Sequence, residues 1–153
     1  MLTRFLSSNF TGNITFQSIW LLIRVIAGVL MIHNGFNKLG DVPGFADNVV
    51  TAIGLPFPVF FTYCAAYTEV VGAIFLALGL FTRLSAIALF GTMLVAIYFH
   101  IKVDGLLIAP LETASLYAAI YILFTVNGGG SFSLDSLITK FLGGEETNKG
   151  VLQ

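Results

Sequence analysis

Charge is what this chain has least of. Only 10% of its 153 residues are Asp, Glu, Lys or Arg, seven basic against eight acidic, for a net charge of −1. A water-soluble domain carries about 25%. With 57% hydrophobic residues and a mean hydropathy of +0.93, so short a chain cannot hide its apolar surface from water. That excludes a soluble globular domain and points to an integral membrane protein, with the lipid bilayer as its first partner. The lack of basic clusters excludes a nucleic-acid partner. Cysteine is almost missing: Cys64 stands alone, so there is neither an internal disulfide nor a CxxC pair for thiol redox work. Any redox chemistry must come from a bound cofactor or a partner subunit. The segment from Met1 to Ile14 reads as a short polar or interfacial lead-in without the apolar h-region or A-x-A site of a signal peptide. The first helix is therefore expected to direct insertion itself.

What is abundant is apolar sequence in long runs. Ser18 to Gly40, SIWLLIRVIAGVLMIHNGFNKLG, is the run against which the others are read. The predicted spans are about 16–36, 59–80, 84–101 and 106–126, each near the roughly 20 residues a helix needs to cross a bilayer core. Between the first two, Phe45, Ala46, Val49, Val50 and Ile53 fall on one helical face with Asp47, Asn48 and Thr51 opposite. That pattern predicts an amphipathic helix lying in the interface, ended by Gly54, Pro56 and Pro58. The expected fold is all-α: a four-transmembrane-helix bundle with a short interfacial amphipathic helix between spans one and two. Residues 1–135 form the membrane domain. Residues 136–153 form a short amphipathic helix and a disordered polar tail, Ser133 being the N-cap and Asp135 lying in the first turn. Arg4, Arg83, Lys140 and Lys149 fall on one side of such a bundle, Lys38 and Lys102 on the other. The excess leads to the expectation that both termini are cytoplasmic.

Scarce charge makes each intramembrane charge informative. A cation within a span costs about 2.5 kcal/mol or more on insertion scales, so Arg24 needs a partner or a function. Arg24 lies about 12 Å and Glu69 about 16 Å from the same membrane face, at 1.5 Å per residue. They are expected to form a structural ion pair. Gly28 and Gly35 share the Arg24 face and leave it thin enough for close helix approach. Thr62, Ala65, Ala66, Gly72 and Ala73 line the Glu69 side, and Thr92, Met93 and Ala96 lie on the side of His100.

His33, Lys38, His100 and Glu112 form a second group, towards the opposite membrane face. His33, nine residues from Arg24, sits about 180° round an ideal helix. Two histidines and a carboxylate are metal-ligand types, but the spacing matches no compact metal motif, so no metal is assigned. A polar site for the carbonyl or hydroxyl groups of a small ligand, or a proton relay, fits better. NGGGSFSLD reads as a helix C-cap and turn rather than an anion nest. Cys64 reads as a small packing residue. Trp20, Tyr63 and Tyr98 read as interface anchors or polar handles.

LLIRVIAGVLMIHNGFNKLG, AIGLP, YTEVVGAIFLALGLFTR, MLVAIYFH, LETASLYAAIY and GGGSFSLD, in that order from Leu21 to Asp135, closely resemble the DoxX family of small four-helix membrane proteins. No single piece is specific; the ordered set is. The resemblance carries the family's polar positions onto Arg24, His33, Gly35, Lys38, Glu69, Gly72, Arg83, His100, Glu112 and Asp135. Asn34 stands where many members run histidine directly into glycine. One branch of the family is linked to thiosulfate:quinone oxidoreductase as the membrane-spanning subunit, and others to oxidative-stress complexes.

Three readings stay open. In the first, the protein is the membrane subunit of a quinone-linked redox system. Arg24 and Glu69 orient the ligand, and His33, Lys38, His100 and Glu112 contact it or carry protons. A lipid-accessible cleft reaching the polar cluster is its signature. The second is a small proton-coupled transporter, which would need a homo-oligomer for alternating access. The third is a non-catalytic assembly subunit with a dry, closed core.

Overall fold

A computed structural model describes residues 12–141 and contains helices and turns, with no strand among those residues. Parts of the lead-in and of the polar tail named above lie outside the described residues. Helix α1 spans Ile14–Gly40. A helical connector follows, made of α2 (Val42–Phe45), a π-helical turn (Ala46–Val50) and α3 (Thr51–Ile53). Then come α4 (Pro58–Leu78), α5 (Thr82–Val103), α6 (Ile108–Asn127) and α7 (134–141).

α1, α4 and α5 are long and apolar enough to cross a membrane, and α6 contributes a shorter apolar stretch, Leu111–Asn127. At 27 residues α1 is about 40 Å long, against a hydrocarbon core of about 30 Å. Its last turn, with Lys38, therefore continues beyond the apolar run.

Local chemistry starts and stops each helix. The Asn13 side chain caps α1 by accepting from the amides of Thr15 and Phe16. Asp41 does the same for the connector through Gly44, with Pro43 in its first turn. Gly54 ends the connector in the left-handed region, φ +83°. The amphipathic pattern holds. Val42, Ala46, Val50 and Ile53 are buried, Phe45 and Val49 half-buried, and Asp47, Asn48 and Thr51 exposed.

α1 and α4 pack antiparallel and very closely. A methyl on Gly28 would meet the Ala73 carbonyl and the Ala77 Cβ at 2.8 Å, and one on Gly35 would meet Val70 Cγ2 at 2.6 Å. The thin face read from the sequence is thus the helix contact itself. Gly28→Ala or Gly35→Ala should each cost about 1–3 kcal/mol through overpacking, seen as a fall in thermal midpoint in detergent. Gly91→Ala is the control, since a methyl there meets nothing within 4 Å. Trp20, Met31, Leu76, Leu89, Tyr121 and Phe124 form the centre of the core.

Candidate functional site

The bundle has two polar centres, one at each end, and they differ in kind. The first surrounds Arg24, which is 1% exposed. Its guanidinium does not meet Glu69. Nε donates to the Ala77 carbonyl at 3.4 Å, Nη1 to that of Gly129, and Nη2 to that of Phe132 at 2.7 Å. The carboxylate opposing its charge is Asp135. The expected Arg24–Glu69 pair is therefore corrected. The contacts of Gly28 and Gly35 fix the register of α1 on α4, and this register sets Arg24 beside Ala77. Glu69 lies eight residues away, about 12 Å along α4.

The Ala77 carbonyl belongs to the last turn of α4, and those of Gly129 and Phe132 come from the loop after α6, which α1 holds at three points. Gln17 Oε1 accepts from the Ser131 amide at 2.7 Å and Trp20 Nε1 donates to the Gly128 carbonyl at 3.0 Å, with Arg24 as the third. Trp20 is a polar handle inside the protein, not an interface anchor. Ser133 caps α7 as expected, accepting from the Ser136 amide at 3.1 Å. Asp135 reaches further than its own helix. It accepts from the amides of Phe81 and Thr82 and from the Thr82 hydroxyl at 2.7–2.8 Å, capping α5 from outside. Phe81 stands at φ +46°, a conformation costing about 1–2 kcal/mol for a non-glycine residue, so this cap offsets local strain. Asp135→Ala should lose about 1–2 kcal/mol. Hydrogen exchange at the Phe81 and Thr82 amides should speed up first.

NGGGSFSLD opens with the expected helix C-cap, the Gly128 amide donating to the Phe124 carbonyl at 2.8 Å, and the turn after it does more than connect: its carbonyls hold a cation. Arg83 is half-buried in the first turn of α5. All of these groups have protein partners, and this end of the molecule is a structural latch.

The second centre lies at the opposite end. Lys38 Nζ and Glu69 Oε2 are 2.6 Å apart, with Glu69 3% and Lys38 17% exposed at the side chain. The Lys38 ammonium also lies 5.1 Å from the centre of the Phe45 ring on the connector. His100 Nδ1 is 2.8 Å from Oδ2 of Asp104, four residues on. Lys38, Glu69 and His100 line one cavity of about 640 Å3, within the range of small-molecule sites. Phe45, Val49, Val50 and Ile53 of the connector cover it, and Met31, Met93 and Tyr117 form part of its wall. Cys64, Ala88, Gly91 and Val95 line it from the facing flanks of α4 and α5 and are exposed, so the cavity opens sideways between these helices. A shallower hollow of about 230 Å3 continues between the same helices, sharing Thr68 and Ala88.

Not every expected site residue arrives here. His33 is exposed on the far side of α1, as its half-turn offset from Arg24 requires, and Asn34 lines the cavity instead. Glu112 is exposed, as are Ser115 and Ala119, so that face of α6 points away while Ala114, Ala118 and Tyr121 point inward. Cys64 is at the cavity mouth, not packed in the core. Asp104 was missed, although its i,i+4 spacing from His100 was legible. Gln17 was missed too, although it continues the Trp20 and Arg24 face by one turn. Among the described residues no three His, Cys, Asp or Glu side chains gather as metal ligands would.

A DoxX family model matches residues 19–101, from α1 to the His100 turn of α5. The chain belongs to the DoxX family. The match takes in Arg24, Lys38, Glu69 and His100. Asp104, Asp135 and all of α6 lie beyond it. An uncharacterized protein of Haemophilus influenzae is 32% identical over 123 residues, covering 77% of this chain and 89% of that protein. No solved structure matches the chain.

Proposed function

We propose that this DoxX-family membrane protein binds a quinone-class ligand in the cavity between α1, the connector and α4–α6, as the membrane subunit of a quinone-linked redox system. The carrying observation is the cavity itself. It opens sideways between two long apolar helices and reaches the Lys38–Glu69 pair and His100. A ligand with an apolar ring and tail enters from lipid. Its polar groups need hydrogen-bonding partners at the inner end. Such a ligand supplies the two-electron chemistry that no side chain of this protein can.

The protein's own groups orient and protonate. Lys38 keeps two N–H donors beyond the one given to Glu69, and those donors suit an oxygen of the ring. Glu69 holds Lys38 in place and offers its second oxygen. His100, fixed by Asp104, accepts or returns a proton at Nε2. The shallower hollow between α4 and α5 accommodates a tail. In this reading α6 is a fourth span, both termini are cytoplasmic, the membrane is a bacterial plasma membrane, and a redox partner subunit docks on the bundle. The cavity argues against a purely structural subunit, which needs a dry core.

The test is identification of what co-purifies. Wild type extracted in mild detergent should carry a lipid-soluble quinone by mass spectrometry, and Glu69→Gln and His100→Ala should retain much less. If wild type carries none while both variants fold and assemble like it, the proposal fails and the structural-subunit reading takes its place.

A further inference from the structure

His100 does not meet the cavity as an unconstrained imidazole. A carboxylate oxygen has only lone pairs to offer, so the proton in the His100–Asp104 bond resides on Nδ1. In the neutral ring Nε2 is then left with its lone pair. Thr92 is committed in the same sense: its hydroxyl donates to the Leu89 carbonyl at 2.8 Å and leaves only acceptor capacity. Glu69 gives Oε2 to Lys38, its only hydrogen-bond partner among the described residues, so Oε1 is a further acceptor. Three groups lining the cavity are therefore acceptors, against one fixed donor, the Lys38 ammonium. The Asn34 amide and the hydroxyls of Thr68, Thr113 and Tyr117, which also line the cavity, can adapt to either role.

An occupant with carbonyl oxygens alone would set lone pair against lone pair at these groups. A desolvated polar atom left without its bond costs more than a made bond gains. We infer that the cavity prefers the hydroxyl-bearing, reduced form of its ring ligand, a hydroquinone, to the carbonyl-bearing quinone, and that Asp104 sets this preference by holding the His100 proton on Nδ1. The inference rests on the quinone-class reading of the cavity. The two ring hydroxyls donate to Nε2 of His100 and to Oε1 of Glu69. Asp104 does not line the cavity and acts through His100, as a positioning residue.

Cys64 provides a readout within the site. It is the single cysteine of the chain, it is exposed, and it lines the cavity. An occupant should slow its alkylation by N-ethylmaleimide. Durohydroquinone and duroquinone are a matched pair for the purpose, since every open ring position is methylated and neither arylates a thiol. With the full chain in lipid nanodiscs under argon, durohydroquinone should halve the labelling rate at a concentration about tenfold below that needed of duroquinone. In Asp104→Ala the ratio should fall towards one, because Nε2–H then becomes an accessible tautomer. Asp104→Glu, which keeps the acceptor, should restore most of it. A merely structural Asp104 would weaken both ligands alike and leave the ratio in place, which overturns its assigned role. Equal protection, or better protection by duroquinone, in wild type overturns the inference and leaves the cavity reading standing. Protection by neither form at saturation overturns the cavity reading itself.

Discussion

Arg24→Met should remove about 3–5 kcal/mol of stability, the cost typical of breaking a buried charge network from one side. The carbonyls of Gly129 and Phe132 would be left without their donor, and Asp135 would lose the charge that opposes it. Methionine fills a similar volume, so the loss is one of hydrogen bonds and charge rather than of packing. For a chain of this size the thermal midpoint in detergent should drop by about 10 °C or more. Arg24→Lys keeps the charge but cannot present the planar fork that reaches three carbonyls, one in the last turn of α4 and two in the loop after α6, so it should recover less than half of the loss. Hydrogen exchange should localise the damage to residues 128–135 and the start of α5, leaving the Lys38 end protected. A midpoint shift of only a degree or two for Arg24→Met would mean that the latch contributes little, and the structural role assigned to it would be wrong.

Lys38→Met should be the second severe change, and much worse than Glu69→Gln. Removing the lysine strands a carboxylate that is 3% exposed, at about 3–5 kcal/mol. Removing the charge of Glu69 leaves an ammonium on a flexible four-carbon stem that is already 17% exposed. That ammonium can swing to the interface, for a loss of about 1–2 kcal/mol. The double variant Lys38→Met/Glu69→Gln should regain much of the Lys38→Met loss, because the pair then leaves no buried charge. A thermal-stability cycle on Arg24 and Glu69 should instead be additive within about 0.5 kcal/mol. Coupling of Glu69 to Arg24 rather than to Lys38, or a Glu69→Gln loss exceeding that of Lys38→Met, would contradict the observed pairing.

These two expectations also separate the two ends of the molecule in function. The Arg24 end should affect folding with no direct effect on ligand selectivity. The Lys38 end carries both. A Glu69→Gln protein that folds well but no longer retains a quinone is the combination that ties the cavity to the proposed activity.

The membrane class, the helix positions and the facing of α1 and the connector were legible in the sequence, because hydropathy and the 3.6-residue period are local properties. Gly28 and Gly35 marked the close face of α1. The half-turn between Arg24 and His33 already implied that only one of them could point inward. The connector's buried face and the Ser133 cap follow from the same local rules. What the tertiary structure alone decided was which charge meets which. That depends on the axial register of α1 against α4 and on where α4 ends, and neither quantity is encoded in the spacing of residues within one helix. Arg24 met a loop more than a hundred residues away because α4 stops at Leu78 and leaves room there. Glu69 was left to Lys38, whose long side chain leans back along α1 to reach it. The outward turn of Glu112 and the sideways opening beside Cys64 have the same origin: helix rotation and separation are set by packing between elements, which no single segment of this chain specifies.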